Sequence, residues 1–299
     1  MTTTILRTDR PIRPSIRTLG RIEARRYLRR VSLWIGLGVT VLFLLLPSED
    51  WSGSSYETKL VLGFAPLILG VFVAAVRTGN RDRQGDASPL TEEAPVDADS
   101  RAVARLLGLA APVGLCVITV IGVLIASRIE GGYWIGDPPR RTDTAQHTWL
   151  ELLQPPLLVA LAGAIGVAAG RAVRHATTVI IAGSVFWGFA FVGSWAWNVP
   201  PLHAFAMLQA QPMTIDLGPG IDAQQLPTNW FASAPSEHRA NWARQLVHLP
   251  TVAGHNFYLL GLLGVATGLA IRTRWSRRLA FGGFAVAVAG VAFQLAVMP

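Results

Sequence analysis

The sequence has 299 residues, of which 51% are hydrophobic and only 15% are charged, and its mean hydropathy is +0.40. Soluble domains carry about 25% charged residues, so this composition argues against a soluble globular protein. The net charge of +8 sits in short segments beside long apolar runs, which indicates membrane topology and not nucleic-acid binding. The single cysteine, Cys116, lies within an apolar run, so neither a disulfide framework nor a thiolate metal cluster is expected.

Seven apolar runs approach the roughly 20 residues that a helix needs to cross a bilayer. They cover residues 31–46, 60–76, 102–127, 152–170, 177–197, 256–271 and 279–298. The first and sixth runs are short, so the sequence predicts an all-α polytopic transmembrane helix bundle with six or seven spans. Pro66 and Pro112 fall inside the second and third runs, where they predict kinks.

The runs divide the chain into a cytoplasmic basic arm, residues 1–30, and a transmembrane domain, residues 31–299. Twenty of the 26 Lys and Arg residues lie in four alternate segments: the N-terminal arm and residues 77–105, 171–175 and 272–278. Segments rich in positive charge face the cytoplasm. This places a loop over 77–101 in the cytoplasm and segments 127–151 and 198–254 outside. A multi-pass protein of the bacterial plasma membrane with a cytoplasmic N-terminus is therefore predicted.

The basic arm predicts an amphipathic helix over residues 15–31. The helix would have a basic face and an apolar face. The basic face carries Arg17, Arg21, Arg25 and Arg29, and the apolar face carries Ile16, Leu19, Tyr27 and Val31. Such a helix lies on the inner leaflet with its arginines toward anionic headgroups or a partner. Arg26 and Arg30 interrupt the apolar side, which leaves open that the arginines only set topology.

The cytoplasmic loop predicts a short acidic helix. Ser88 can cap it, Glu92 and Glu93 extend it, and Pro95 stops it. The following span has three candidate N-caps, which are Asp97, Asp99 and Ser100. The alternative is a solvated loop whose acidic residues merely keep it soluble.

The order of these features resembles the type-2 permeases of ABC exporters. The arm that contains Arg21, Glu23, Arg25 and Arg29 and runs into Trp34 is similar to their N-terminal elbow helix. The run Glu92-Glu93-Ala94-Pro95-Val96 resembles their coupling segment between spans two and three, and residues 255–262 resemble the start of their last span. One departure is the seventh apolar run, because the common plan of the family has six spans.

The resemblance implies a permease subunit that forms the translocation path for an amphipathic small molecule or lipid. Such a subunit pairs with a second permease, as a homodimer or heterodimer, and its coupling segment (Glu92, Glu93 and Pro95 here) meets a separate ABC ATPase subunit that binds ATP and magnesium. The chain has no Gly-x-x-x-x-Gly-Lys-Ser/Thr loop, so no cofactor and no enzymatic activity of its own are expected.

The fifth run is aromatic, and Phe186, Trp187 and Phe191 are candidates for lining the path. The alternative is that they are ordinary packing or lipid-facing side chains. No Asp, Glu, Lys or Arg lies deep within any run, which argues against a proton relay or a voltage sensor. The pairs Gly166/Gly170 and Gly264/Gly268 have the spacing that permits close helix approach.

Four histidines fall in or beside the second outer segment: His203, His238, His248 and His255. They suggest an alternative function, a membrane-embedded metal-handling protein or enzyme, although their spacing matches no compact ligand motif. Within that segment, residues 236–249 predict a helix, and the segment is expected to fold back onto the membrane as helical pieces. A non-transporting membrane scaffold is a further alternative.

Overall fold

The computed structural model describes residues 15–46, 58–83, 96–135, 142–196, 202–205, 214–216, 245–247 and 249–297. Within these ranges the chain is predominantly helical, which confirms the all-α class. The helices are α1 (Ile16–Leu28), α2 (Val31–Leu45), α3 (Ala65–Asn80), α4 (Ala98–Gly108), α5 (Ala110–Glu130), α6 (Trp149–Leu152), α7 (Gln154–Ala172), α8 (Ala176–Ala196), α9 (Leu249–Ile271) and α10 (Arg274–Val297). A π-helical turn, Thr58–Leu62, precedes α3, and short 3₁₀ turns occupy Arg81–Arg83 and Leu202–Phe205.

Two short antiparallel ladders lie outside the helices. β1 (Tyr133–Ile135) pairs with β2 (Thr142–Ala145), and β3 (Thr214–Asp216) pairs with β4 (Gln245–Val247). The helix expected over residues 236–249 is therefore wrong at its end, because β4 is an extended strand there. The remainder of that expected helix lies outside the described residues.

Among the described residues, four helical stretches are long and apolar enough to cross a membrane: Ala98–Glu130, Trp149–Ala172, Leu249–Ile271 and Arg274–Val297. A fifth is added if α1 and α2, which meet at a bend of 61°, form one broken span. Two apolar helices are shorter than these: α3, and the part of α8 over Ala176–Ala190. The structure thus supports a membrane protein with four or five long spans, a smaller number than the six or seven predicted.

The prolines occupy positions where the helix does not need their missing N–H. Pro66 lies in the first turn of α3, so the kink predicted there is wrong. Pro112 lies in the first turn of α5, immediately after the interruption at Leu109 that separates α4 from α5. Pro250 lies in the first turn of α9. This helix has 23 residues, so it is longer than the predicted sixth apolar run, residues 256–271.

The helices pack closely where glycine removes the side chain. A Cβ on Gly166 would lie 2.8 Å from the Cβ of Ala75, so α7 meets α3 almost backbone to backbone. A Cβ on Gly283 would lie 2.6 Å from the backbone nitrogen of Val265, which makes α9 and α10 an equally tight hairpin. A Cβ on Gly268 would lie 2.5 Å from the carbonyl oxygen of Ser276 in α10, so both predicted glycine motifs lie at helix contacts.

Helix α3 is the centre of the bundle. It packs against α2, α7 and α8, and its side chains Leu67, Ile68 and Val71 are fully buried. By contrast, α2, α5 and α10 each leave one apolar face exposed, with Ile35, Ile118 and Phe281 as examples. Exposed apolar faces of this kind are expected where a helix meets lipid.

Candidate functional site

The three residues of the expected coupling segment, Glu92, Glu93 and Pro95, lie outside the described residues. The structure describes what flanks them. On the amino-terminal side α3 ends at Asn80 and continues into the turn Arg81–Arg83. On the carboxyl-terminal side Asp97 is the N-cap of α4, because its carboxylate accepts hydrogen bonds from the backbone N–H groups of Asp99 and Ser100. The N-cap predicted for this span is confirmed.

Asp82 ties the two flanks together. Its carboxylate accepts a hydrogen bond from Arg101 Nε at 3.2 Å and from Arg105 Nη2 at 2.5 Å, and both arginines belong to α4. Partial burial of Asp82 opposes its ionisation, but the bonds and charges of Arg105 and Arg101 outweigh it and lower its pKa. Charge-assisted hydrogen bonds therefore join the residues on the two sides of segment 84–95.

Helix α1 lies against α4. Gly108 allows the approach, because a Cβ there would lie 2.8 Å from the Cβ of Glu23. Of the residues expected in the elbow helix, Arg21, Arg25 and Arg29 are exposed, whereas Glu23 is buried. The Glu23 carboxylate is 2.5 Å from Arg26 Nη1 and 3.3 Å from Arg81 Nη1, so it links α1 to the end of α3.

The same layer holds the end of α7. The amide Nδ2 of Asn80 faces three carbonyl oxygens, those of Gly170 at 3.2 Å, Val173 at 2.8 Å and Arg174 at 3.0 Å. Arg171 Nη2 lies 3.3 Å from Asp99 Oδ1, and Arg171 also donates to the carbonyl of Ala270 in α9. Charged and amide contacts thus join five helices, α1, α3, α4, α7 and α9, at one end of the bundle.

A groove of about 750 Å³ opens between α7, α9 and α10. Its walls are apolar, with Leu161 and Ile165 on one side and Leu262 and Leu269 on the other. Pockets of this size accept drug-sized or lipid-like molecules, and an apolar lining favours a hydrophobic occupant.

One end of this groove is basic. Arg272 and Arg277 line it beside Ser276, and both arginines are exposed. Neither has a carboxylate partner among the described residues. The turn that presents them is tight, because Arg272 adopts a positive φ of 63°. The groove is therefore amphipathic, with an apolar body and a cationic mouth.

Two of the aromatic residues expected to line a path, Phe186 and Trp187, do not line this groove. Trp187 is fully buried in the helix core, and its ring meets that of Phe186 edge-on with centroids 5.6 Å apart. Phe186 is exposed, and neither residue lines the groove between α7, α9 and α10. Phe191 lies in α8, but its side chain is outside the described part of the structure.

A group of buried polar residues near the start of α7 and α9 was missed by the sequence reasoning. Thr148 and Glu151 form a reciprocal capping box on the short helix α6, and Glu151 is fully buried. Asn256 Nδ2 donates to the carbonyl of Leu150 at 2.8 Å, which ties α9 to this helix. The Thr-x-x-Glu spacing was the available signal for the cap.

The described part of the structure contains only one of the four histidine side chains on which the metal alternative rests, that of His255. Among the described residues, no group of three or more His, Cys, Asp or Glu side chains could hold a metal ion. His255 is buried inside the bundle, whereas His238 and His248 lie outside the described residues. His203 lies in the turn Leu202–Phe205, with its side chain outside the described part.

No protein family, no curated protein and no solved structure matches this chain. What the chain does must therefore be inferred from its own residues and geometry.

Proposed function

We propose that the chain is the permease subunit of an ATP-driven exporter of the ATP-binding-cassette class, and that it moves an amphipathic, anionic small molecule or lipid. A separate ATPase subunit supplies ATP hydrolysis, and a second permease, identical or different, completes the path. The observation that carries the proposal is the groove between α7, α9 and α10, because its apolar body and cationic mouth complement such a molecule.

The contacts at the end of the bundle where α1, α3, α4, α7 and α9 are joined support a role for the loop 84–95 in coupling. The loop connects the turn Arg81–Arg83 to α4, and the bonds of Asp82 to Arg101 and Arg105 join these two flanking elements. Helix α1 packs on α4, and α9, which contributes to the groove, is bonded to Arg171 of α7. A force applied to the loop would therefore reach the helices that form the groove through directly bonded elements.

The proposed topology follows from the same elements. The shorter helices α3 and α8 also cross the membrane, which gives six or seven spans and a cytoplasmic N-terminus in the plasma membrane of a bacterium. Helix α3 gains length from the π-helical turn Thr58–Leu62 before it. Reporter fusions test this topology. A cytoplasmic reporter both at the Arg274 turn and at Met298 would mean that α10 does not cross.

The coupling role is tested with the variant Glu92→Ala, Glu93→Ala. Expression and membrane insertion should be unchanged, whereas recovery of the ATPase in gentle detergent and transport-linked ATP turnover should fall strongly. Charge-assisted contacts are worth about 1.5–3 kcal/mol each, so losing two predicts a hundredfold or larger loss of affinity.

The matched control is Glu49→Ala, Asp50→Ala, an adjacent acidic pair in the segment between α2 and α3, on the proposed opposite side of the membrane. It removes the same charge and should leave ATPase recovery unchanged. Equal recovery and equal transport in wild type and in the Glu92, Glu93 variant would remove the coupling role. Failure of any ATPase to co-purify with wild type would favour a scaffold.

A further inference from the structure

A second cavity, of about 310 Å³, lies at the bend between α1 and α2 and is lined by four arginines: Arg26, Arg29, Arg30 and Arg81. We refer to it as the arginine recess. Three separate elements supply these side chains, namely the end of α1, the junction before α2 and the turn after α3. Tertiary folding, and not local sequence alone, therefore gathers the four guanidinium groups.

Among the described residues, carboxylates pair with only part of the charge in the recess. Glu23 is ion-paired with two of the four arginines, Arg26 and Arg81. In the part of the chain that the structure describes, neither Arg29 nor Arg30 has a carboxylate partner. Partial burial, together with the nearby charges of Arg81 and Arg77, lowers the pKa of Arg30, so the positive charge of this guanidinium is disfavoured where it lies.

The backbone beside the recess adds to this field. Arg30 is the N-cap residue of α2, a helix of 15 residues, and no side chain caps its first turn. The amino-terminal turn of a helix carries partial positive charge and unpaired N–H groups. An anion in the recess would therefore meet forked arginine donors and a favourable helix end together.

An apolar strip leads away from the recess along α2. Val31, Trp34 and Ile35 follow directly after Arg30, and all three are exposed, at 71%, 50% and 61%. The Trp34 ring is fixed, because its Nε1 donates to the carbonyl of Leu28 at 2.6 Å. A tryptophan held between a charged layer and an apolar helix face is typical of a membrane interface.

We propose that the arginine recess binds a phosphate group, and that the phosphate is the headgroup of an acidic lipid whose acyl chains lie along the exposed face of α2. Arg29 and Arg30 hold the phosphate, and Glu23 keeps Arg26 and Arg81 in place beneath it. The site is separate from the groove between α7, α9 and α10, so it does not depend on the proposed transport function.

The test uses the full chain in neutral detergent, titrated with short-chain phosphatidylglycerol, with short-chain phosphatidylcholine, and with inorganic phosphate at equal ionic strength. Bound lipid is counted by native mass spectrometry, and the thermal midpoint reports binding independently. The variant Arg29→Gln, Arg30→Gln is compared with Arg17→Gln, Arg21→Gln, which removes the same charge from exposed positions outside the recess.

Wild type and the Arg17, Arg21 control should bind phosphatidylglycerol equally, and the Arg29, Arg30 variant should bind it at least about tenfold more weakly. Equal weakening in both variants would mean general charge attraction and would overturn the site. Stabilisation by inorganic phosphate without any preference for phosphatidylglycerol over phosphatidylcholine would overturn the lipid assignment. If the Gln variant does not fold, Arg29→Lys, Arg30→Lys keeps the charge and should still bind more weakly, because it loses the forked donors. Wild-type affinity in that variant would count against specific phosphate recognition.

Discussion

Asn80 is the side chain whose removal should most disturb the charged end of the bundle. Its Nδ2 lies within 3.2 Å of the carbonyl oxygens of Gly170, in the last turn of α7, and of Val173 and Arg174, which follow the helix. The carbonyl groups at a helix end have no intrahelical donors. In Asn80→Ala the carbonyls of the exposed residues Val173 and Arg174 can take water, but that of the buried Gly170 cannot. One stranded buried acceptor and a small cavity together predict a loss of about 2–4 kcal/mol in the free energy of unfolding.

The assay is reversible unfolding of the purified chain in mixed micelles, followed by tryptophan fluorescence. Thr119→Ala is the control, because it also removes a side-chain bond to a carbonyl, that of Leu115, but within one helix. Its effect should stay below about 1 kcal/mol. Asn80→Asp sets a carboxylate against the same carbonyls. At neutral pH it should therefore lower the free energy of unfolding more than Asn80→Ala does, and acidification should restore part of that loss. An Asn80→Ala variant as stable as the Thr119→Ala control would refute this account of how α3 holds α7.

Three further predictions concern stability. Burial lowers the pKa of His147 from 6.5 to about 3, so the unfolded chain takes up the proton first as pH falls. The His147 contribution is complete above pH 6.5 and should shrink by about 2 kcal/mol at pH 5, a loss that His147→Gln should not show. Gly170→Leu should prevent stable folding, because even a Cβ would collide with the carbonyl of Val76, whereas leucine at the open position Gly114 should be tolerated. Asp82→Asn should destabilise the chain at pH 7 and lose its effect in strong acid, where the depressed pKa of Asp82 no longer keeps it charged. An Asp82→Asn effect that persisted unchanged in strong acid would contradict the ion-pair reading.

The long apolar helices could be predicted from sequence because each is an apolar run bounded by polar or charged segments. The N-cap Asp97 was also readable, since Asp, Asn and Ser before an apolar run are the usual capping residues. The prediction of a kink at Pro66 was wrong because apolar composition does not reveal where a helix starts. Pro66 lies in the first turn of α3. The strand β4 was missed because its pairing with β3 is made across a long stretch of chain.

The cavities could not be predicted, because each is assembled from helices far apart in sequence. The groove combines Leu161 of α7 with Leu262 of α9 and Arg277 of α10, and nothing in the local pattern around any of them indicates a shared wall. The arginine recess shows the same limit. In the sequence Arg30 interrupts an apolar face, and the proposed binding role depends on its proximity to Arg81, which only the folded structure shows.

At the end of the bundle where α1, α3, α4, α7 and α9 meet, the pairing of charges indicates whether the arginines do more than set membrane topology. The carboxylates of Glu23, Asp82 and Asp99 each pair with arginines from another element, so they stabilise the fold. In the described ranges, four cavity-lining arginines have no carboxylate partner: Arg29 and Arg30 in the recess, and Arg272 and Arg277 at the mouth of the groove. A topological signal requires only that positive charge lie on one side of the membrane, and it does not require unpaired arginines to line cavities. Their position at two cavities, each beside apolar surface, is what binding of amphipathic anions would require.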